Sequence, residues 1–348
     1  MATTIFNSRS FRGEYIADTG TAAGEPPEGL LGRVEFALGA RRPDDPRQVL
    51  VALESLDQPR WIEQWISALP VQYGRDNGFG YSHNGEVLFG NIYLPESELV
   101  DFERATLKLY VHIEQLLQQL GYPYCLRMWN FLAGINAGED DHERYRQFSA
   151  GRSRALALKP DFERRLPAAT AIGMAEPGMV VYFLAGKRPG QPVENPRQVS
   201  AYRYPRQYGP RSPSFSRATL IGSGAASHLL VSGTASVVGH ESVHLGDPIR
   251  QLDETLLNFD ALLDNTLATH FAGLPRSAAR PESMKLYVRD AGLMEVLRPH
   301  LARVRGAGGG GGAGGAPLLC LHGDICRSDL ILEAEAVFRI DAALPDTP

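Results

Sequence analysis

Blocks of apolar and polar residues predict short strands and two helices across residues 85–186. GEVLFGNIYLPE (85–96) is interpreted as a strand pair, and DFERATLKLYVHIEQLLQQLG as an amphipathic helix. Next come a strand in YCLRMWNFLAGIN, a polar helical stretch in DDHERYRQFSAGRSRALAL, and two strands in AATAIG and GMVVYFLAG. The predicted order is therefore β-β-α-β-α-β-β.

The same order recurs in the second half. HLLVSGTASVVG precedes a helix in PIRQLDETLLNFDALLDNTL, whose apolar residues fall at helical spacing. KLYVRD, the helix LMEVLRPHLARV, PLLCLHG and LILEAEAVF follow. Because the matching elements keep a near-constant offset, we predict two copies of one unit and an α+β fold.

Two domains follow from this duplication, one over residues 1–190 with an N-terminal extension and one over residues 200–348. The segment between them, KRPGQPVENPRQ, is rich in Pro, Gly and polar residues, as is typical of a linker. The tract GAGGGGGAGGA, from Gly306 to Ala316, lacks the Lys-Ser or Lys-Thr of a phosphate loop, and we interpret it as a flexible loop.

The last strand, SDLILEAEAVF, carries Glu333 and Glu335. Side chains two residues apart in a strand share one face, so both carboxyl groups point the same way. Either one or both acids lie on a solvated face of the sheet, or the strand is covered on both sides. The apolar LIL before the acids and AVF after them favour the covered strand. A covered carboxyl group must be paired, hydrogen-bonded or protonated. Burial would raise the pKa of such a glutamate, and a glutamate that stays protonated near neutral pH is a usable general acid.

Arginines and tyrosines alternate in YRYPRQYGPRSPSFSR, from Tyr202 to Arg217. Such interleaving is found in single-strand nucleic-acid sites, but three prolines make this a rigid loop, which favours a preformed pocket for a small anion. Solvated arginines on a surface loop are the alternative. In RYRQFSAGRSRAL, Arg152 follows Gly151, and we expect it in a break between helical segments, facing a cleft.

Composition narrows the function classes. The net charge is −5 and the pI about 6.0, which argues against a general nucleic-acid binder. Arginine supplies 31 of 35 cationic residues and is the expected tool for holding carboxylates. The three cysteines have no metal-ligand spacing, and His240 and His244 lack a third ligand signal. We expect a cytoplasmic protein with no signal peptide or membrane span, and these histidines are a weak candidate for a metal site.

These motifs resemble known families. The second half resembles the YjgF/RidA-type fold in SFSRAT, LLVSGTAS, KLYVRD and LILEAEAVF, where the first glutamate of the last strand, Glu333, lines the site. The whole chain is similar to the chorismatases, over roughly residues 85–340. That similarity rests on LFGNIYLP, RMWNFLAGIN, RYRQFSAGRSRAL, PAATAIG, AYRYPRQYGPRSPSFSRAT, SGTASVVGHESVHLGD and GDICRSDLILEAEAV.

The resemblance implies two tandem RidA/YjgF-like (chorismate-mutase-like) domains, each a mixed β-sheet with helices packed on one face, and a site near their boundary. It implies an enzyme that takes chorismate, a small molecule, and releases pyruvate without metal or cofactor. Glu333 is then the proton donor. The implied substrate contacts are Arg152, Arg154, Arg203 and Tyr208, with Tyr145 and Arg211 next.

The resemblance also bears on the product. With Gly239 and Cys326, this chain resembles the members that form 3-hydroxybenzoate. Hydrolytic members tend to have alanine at both of these positions. We therefore expect 3-hydroxybenzoate, with hydrolysis to the dihydroxycyclohexadiene carboxylate as the alternative. A carboxylate-binding module and a RidA-like imine deaminase are further alternatives, but the arginine that deaminases need is Leu318 here. We expect a monomer that binds neither nucleic acid nor membrane.

Overall fold

The computed structural model describes residues 2–8, 10–18, 26–39, 42–222, 224–307 and 316–344. Most of the glycine tract that we interpreted as a flexible loop, residues 308–315, lies outside these residues. Within the described part of the chain, no helix is long and apolar enough to cross a membrane.

The N-terminal segment forms a sheet of its own. Its five strands pair in the order β1-β2-β6-β3-β4, and β5 leaves to join another sheet. The bounds are β1 Ala2–Asn7, β2 Phe11–Ala17, β3 Leu30–Phe36, β4 Gln48–Val51, β5 Glu54–Ser55 and β6 Trp61–Ser67.

The first copy of the repeat follows the predicted order. Its elements are β7 Gln72–Asp76, β8 Phe79–His83, β9 Val87–Leu94, α1 Phe102–Leu120, β10 Tyr124–Ala133, α2 Arg144–Leu156, β11 Ala168–Met174 and β12 Met179–Gly186. The interpretation of GEVLFGNIYLPE as a strand pair was wrong. It holds the single strand β9, because the hairpin turn precedes it and its partner β8 lies upstream.

The second copy begins with β13 and ends with the glutamate-bearing strand. Its elements are β13 Gln191–Val193, β14 Ala218–Gly222, β15 Ser227–Thr234, β16 Val237–Val238, β17 Glu241–Ser242, α3 Pro248–His270, β18 Ala279–Val288, α4 Met294–Ala307, β19 Leu318–His322, β20 Asp324–Ile325 and β21 Leu332–Ile340.

The topology of the sheets confirms the duplication. The first copy orders its strands β8-β9-β12-β10-β11, and the second orders the matching strands β14-β15-β21-β18-β19. In both, the last pair is parallel and the other pairs are antiparallel. Strand β20 of the second copy extends the first sheet beside β11, and β5 extends the second beside β19. The α+β class is confirmed, while the domain boundaries at 190 and 200 stay a prediction.

Local sequence signals define the helix ends. Asp101 and Asp247 cap α1 and α3 by accepting hydrogen bonds, both 3.0 Å long, from the backbone N–H groups of Arg104 and Arg250. Helix α1 ends at Gly121, whose φ of 77° is the left-handed conformation that glycine adopts without strain.

Three apolar clusters explain how the layers pack. Helices α1 and α2 cover the outer face of the first sheet, and α3 and α4 cover the outer face of the second. The inner faces of both sheets share one central core with the N-terminal sheet, which includes Trp129, Tyr182, Tyr287 and Trp65. A side chain that points inward from either sheet therefore meets the other copy, and this placement determines the site.

Candidate active site

The side chains of strand β21 alternate strictly between its two faces. Leu332, Ala334 and Ala336 pack against the core under α3 and α4. Glu333 and Glu335 point the other way and are 4% and 5% exposed. The strand is thus covered on both sides, and its acids face the first copy. This rules out the alternative in which both acids lie on a solvated face.

A cavity of about 420 Å³ opens beside Glu333, between the two copies. The first copy contributes α2 and the residue before it, and the second contributes the 198–217 loop, β15 and the segment before β21. The lining residues include Glu143, Tyr145, Arg146, Gln198, Tyr204, Gln207, Tyr208, Pro213, Phe215, Arg217, Gly233, Cys326, Arg327 and Glu333. This position at the boundary between copies is the one expected from the resemblance.

A smaller lobe of about 30 Å³ continues behind the cavity towards the first sheet. It adds Arg152 and Thr170 to the lining. The residues that line both lobes are Tyr145, Pro213, Phe215, Gly233, Cys326 and Glu333. Glu333 therefore stands where the two lobes meet.

The carboxyl group of Glu333 is poorly supplied with donors. Among the described residues, it accepts a hydrogen bond from the thiol of Cys326, whose Sγ lies 3.7 Å from Oε2. Burial and then the charge of Glu335 raise the pKa of Glu333 to about 8. A carboxyl group with this pKa is still protonated near neutral pH and can donate a proton.

Glu335 has the opposite surroundings. Its carboxylate accepts hydrogen bonds from Arg127 Nη2 at 2.8 Å, Thr170 Oγ1 at 2.6 Å and Trp129 Nε1 at 2.7 Å, and pairs with Lys285 at 3.1 Å. Burial alone would raise its pKa, but Lys285 and Arg127, followed by the hydrogen bonds, lower it to about 2. The two neighbouring glutamates therefore differ in protonation at neutral pH.

Two buried guanidinium groups at the cavity have donor capacity to spare. Arg152 lines the small lobe, and its side chain makes no ion pair with a described residue; its Nε has no hydrogen-bond partner there either. Arg217 donates through Nη2 to Val199 O and Tyr204 Oη, both at 2.7 Å, and its Nε is also without a partner in the described residues. Buried donors left unpaired are costly, so both groups are suited to an incoming carboxylate.

Three of the arginines expected at the substrate do not line either lobe. Arg154 is 57% exposed and pairs with Glu103 at 2.7 Å. Arg203 is 69% exposed and lies 4.0 Å from Glu163, and Arg211 is exposed. Their side chains point to solvent because the helix face and the loop turn that carry them are turned outward. The expectation that they contact the substrate is not met by this geometry.

Arg152 lies at the cavity, but the expected break at Gly151 was wrong. Helix α2 runs unbroken through both residues. A Cβ on Gly151 would overlap Glu103 O and crowd Thr106 on α1. The glycine is thus needed for close packing of the two helices, and the helix itself aims Arg152 inward.

The two tyrosines chosen from the sequence both line the large lobe. Tyr145 is also part of the small lobe, and its pKa is raised by burial and by Cys326 and Glu333 nearby. Tyr208 Oη lies 3.2 Å from His240 Nδ1, and its ring stacks on the guanidinium of Arg327, with 3.9 Å from Cζ to the ring centroid. Both phenols can donate to an oxygen of a bound molecule.

Cys326 lines both lobes and its thiol is held protonated, because burial and the charge of Glu333 raise its pKa. Gly239 does not line them. Its φ of 61° is a left-handed conformation, and its backbone bonds Arg197 O and Val199 N, each at 2.8 Å. Gly239 can therefore influence the cavity through Val199 of the 198–217 loop, and through its neighbour His240, which contacts Tyr208 and accepts a hydrogen bond from Arg327.

The remaining motifs have structural partners. His244 pairs with Glu254 at 3.0 Å, and no group of three or more His, Cys, Asp or Glu within the described ranges could hold a metal. Leu318, at the position of the deaminase arginine, packs on the helix side of the second sheet, away from the cavity.

Three arginines that line the cavity, and the hydrogen-bond partner of Tyr208, were not predicted from the sequence. The arginines are Arg146, Arg217 and Arg327, and the partner of Tyr208 is His240. Arg217 was visible as the residue just before β14, where the loop ends and the chain becomes buried. Arg327 gave no such signal, because its approach depends on the turn between β20 and β21.

Comparisons with known proteins agree with one another. A family model described as chorismatase FkbO/Hyg5-like, N-terminal, matches residues 63–185. A 3-hydroxybenzoate synthase of Streptomyces hygroscopicus is 34% identical over 334 residues, covering 92% of this chain and 95% of that protein. A chorismatase of the same organism is 34% identical over 325 residues, covering 92% of each. The crystal structure of a chorismatase matches with a TM-score of 0.83 and 32% identity, over 95% of this chain and 99% of the other.

Proposed function

This chain belongs to the chorismatase family, and from that premise we propose that it converts chorismate into 3-hydroxybenzoate and pyruvate, with Glu333 as the proton donor. The observation that carries the proposal is the position of Glu333. It is a buried carboxyl group with a pKa of about 8, in the wall shared by two lobes of one cavity.

The reaction begins with transfer of a proton to the methylene carbon of the enolpyruvyl group. That carbon is a weak base, and its protonation creates an oxocarbenium ion. A positioned acid of raised pKa is therefore required, and general acid catalysis of this kind contributes about 10²–10⁴-fold. Glu333 supports this role because its proton is retained at neutral pH and its side chain faces the cavity.

Chorismate carries two carboxylates, which fixed cations must hold. Arg152 in the small lobe and Arg217 in the large lobe are placed on either side of Glu333. We assign one carboxylate to each, with Tyr145 and Tyr208 as further donors. Two clamps fix the orientation of the enolpyruvyl group against the acid, which lowers the entropic part of the barrier.

The products depend on how the oxocarbenium ion reacts. Pyruvate and 3-hydroxybenzoate together contain every atom of chorismate, so aromatisation needs no net water. The oxygen of the neighbouring ring hydroxyl loses its proton and bonds to the ring carbon that carries the ether, as the bond from that carbon to the enolpyruvyl oxygen breaks and pyruvate leaves. The resulting epoxide opens at the carbon that first held the hydroxyl. The oxygen takes up a proton, and the carbon that keeps it loses a ring proton, which makes the ring aromatic. Cys326 beside Glu333 supports a path for that proton, and Gly239 supports the matching loop conformation.

Incubation of the purified protein with chorismate, without added metal, tests the proposal. Pyruvate and 3-hydroxybenzoate should appear in equal amounts. Pyruvate accompanied by the dihydroxycyclohexadiene carboxylate would replace the aromatising route by hydrolysis and keep the family. Tight binding of chorismate without any pyruvate would leave a carboxylate-binding module. Release of ammonia from an imino acid would instead indicate the deaminase activity.

The cellular setting follows the sequence-based expectation. We propose a cytoplasmic enzyme that acts as a monomer on a small-molecule substrate. The three free cysteines, Cys125, Cys320 and Cys326, support a reducing compartment. A cavity built from both copies of one chain supports a site that needs no second subunit.

A further inference from the structure

A group of four charged side chains is buried between the two copies, just beyond Glu333. Lys285 on β18 pairs with Glu63 of the N-terminal sheet at 2.5 Å and with Glu335 at 3.1 Å. Arg127 on β10 pairs with Glu335 at 2.8 Å. Lysine is scarce in this chain, with four in 348 residues, so a fully buried lysine here points to a specific requirement.

The donors around Glu335 fix its protonation state. A protonated carboxyl group would have to donate one hydrogen bond, but Arg127, Trp129 and Thr170 all donate to it. An ionised carboxylate accepts at both oxygens and suits this arrangement. The geometry therefore requires a negative charge at Glu335, two residues from Glu333 and on the same strand face.

Thr170 links this charge to the wall of the cavity. Its hydroxyl donates to Glu335 Oε2 at 2.6 Å and accepts from the N–H of Gly233 at 3.0 Å. Gly233 lies against Glu333 so closely that a Cβ on the glycine would overlap Glu333 Oε1. One hydroxyl of the first copy thus holds both Glu335 and the backbone that confines Glu333.

We propose that Glu335 is a positioning residue for the reaction: held ionised by Arg127, Trp129, Thr170 and Lys285, it keeps the Glu333 carboxyl group protonated and seated against Gly233. Three of these four partners belong to the first copy, whose strand at the position of β21, β12, carries no acidic residue. The first copy therefore prepares the acid of the second copy. This inference rests on the proposed function, since it presumes that Glu333 gives up a proton.

Other groups near Glu333 also affect whether its carboxyl group is protonated, and these groups remain when Glu335 is changed. Burial and Glu335 favour the protonated form, whereas Arg127 and Arg217 favour the charged form. Besides Glu335, the ionisable groups that share the lobes of Glu333 or act on its charge are Glu143, Tyr145, Arg146, Arg152, Tyr204, Tyr208, Arg217, Cys326, Arg327, Asp329 and Arg127.

The test compares pH profiles of kcat/KM for chorismate in the full-length protein. Glu335→Gln removes the charge and keeps the shape. In this variant the amide N–H₂ would face the donors that surround Glu335, and the buried group would hold one more positive than negative charge. The double variant Glu335→Gln/Lys285→Met is therefore made as well. That variant removes one charge of each sign and leaves Arg127 and Glu63 as the buried charges of the group. Glu63→Gln is the matched control, because it alters the same group without removing the charge next to Glu333.

The activity of the wild-type protein should fall above about pH 8, as Glu333 loses its proton. This fall is the basic limb of the pH profile. In both Glu335 variants the limb should move to lower pH by about one unit, because the negative charge of Glu335 no longer disfavours ionisation of Glu333. In Glu63→Gln the limb should stay in place. A limb at the wild-type position in either Glu335 variant would overturn the proposal.

A second measurement needs no turnover. The carboxyl ¹³C resonance of Glu333, assigned by its loss in Glu333→Gln, is titrated in the free protein. A lower midpoint in the Glu335 variants supports the positioning role, and an unchanged midpoint refutes it. A wild-type protein that leaves chorismate intact would remove the proposed function, while the titration would still decide the role of Glu335.

Discussion

The thiol of Cys326 lies 3.7 Å from Oε2 of Glu333, at the junction of the two lobes of the cavity. Both groups are protonated at neutral pH, because burial raises the pKa of each. In the proposed mechanism, the thiol donates a hydrogen bond to the carboxylate that remains after Glu333 has given up its proton, and it lies on the path of the ring proton that is lost later. The proposed acid and the group assigned to aromatisation are then neighbours.

Changing Cys326→Ala together with Gly239→Ala should shift the product from 3-hydroxybenzoate towards the dihydroxycyclohexadiene carboxylate. The first change removes the thiol. The second places a Cβ on a residue with φ of 61° and should cost about 1–2 kcal/mol of stability or move the adjoining loop. Chromatography of the ring products measures the ratio. Cys125→Ala, which is outside the cavity, is the control; an unchanged ratio in the double variant refutes the role of the pair.

Arg152→Gln and Arg217→Gln should each raise KM for chorismate by about ten- to a hundredfold. A hydrogen bond to a charged group contributes about 1.5–3 kcal/mol, which corresponds to that range. Steady-state kinetics on the two variants provide the measurement.

The matched controls are Arg154→Gln and Arg203→Gln, whose side chains point to solvent. Their KM should stay within about twofold, since exposed ion pairs contribute little. If the exposed pair weakened binding and the buried pair did not, the assignment of the carboxylate clamps would be wrong.

The pH dependence follows from the pKa of Glu333. Only the protonated form can act as the acid, so kcat/KM should be level below about pH 8 and fall tenfold per unit above it. An acidic limb from Glu335 should not appear near neutral pH, because its pKa is about 2. A profile that rises through pH 8 would show that the essential group must instead be deprotonated.

Stability should vary with pH in the same window. The pKa of Glu333 rises from its ordinary value of 4.5 to about 8 on folding, so the folded state holds the proton more tightly. The free energy of unfolding therefore falls as the pH rises from about 4.5 to about 8. Glu333→Gln lacks this titration and should be more stable than the wild type above pH 8, on the order of 4 kcal/mol.

Denaturant unfolding of both proteins at about pH 4.5 and about pH 8.5 measures this difference. Near the lower pH the two proteins should be within about 1 kcal/mol of each other. Equal stability at both pH values would mean that Glu333 is not buried as a neutral acid.

The duplicated fold and the orientation of the glutamates could be predicted because both depend on local periodicity. The two-residue repeat in LILEAEAVF places the acids on one face whatever the strand packs against. The order of strands and helices is likewise written along the chain. The burial of the acids could not be predicted in this way. This face meets the other copy only once the two sheets are packed together, and the sequence pattern does not show that packing.

The choice among arginines could not be predicted, because it depends on which guanidinium already has a partner. Arg154 and Arg203 have surface carboxyl groups within reach, whereas Arg152 and Arg217 are enclosed and form no ion pair with a described residue. Sequence spacing does not show these pairings. Gly151 illustrates the same limit, since a glycine needed for helix packing has the same sequence signature as a helix break.

The most direct measurement compares wild-type protein and Glu333→Gln on chorismate, with pyruvate and ring products quantified over time. We predict equal amounts of pyruvate and 3-hydroxybenzoate from the wild type, and turnover at least about a hundredfold slower in the variant. Binding of chorismate by the variant, followed by calorimetry, should be retained because the arginine clamps are intact. Turnover by Glu333→Gln within about twofold of the wild type would contradict the assignment of Glu333 as the acid.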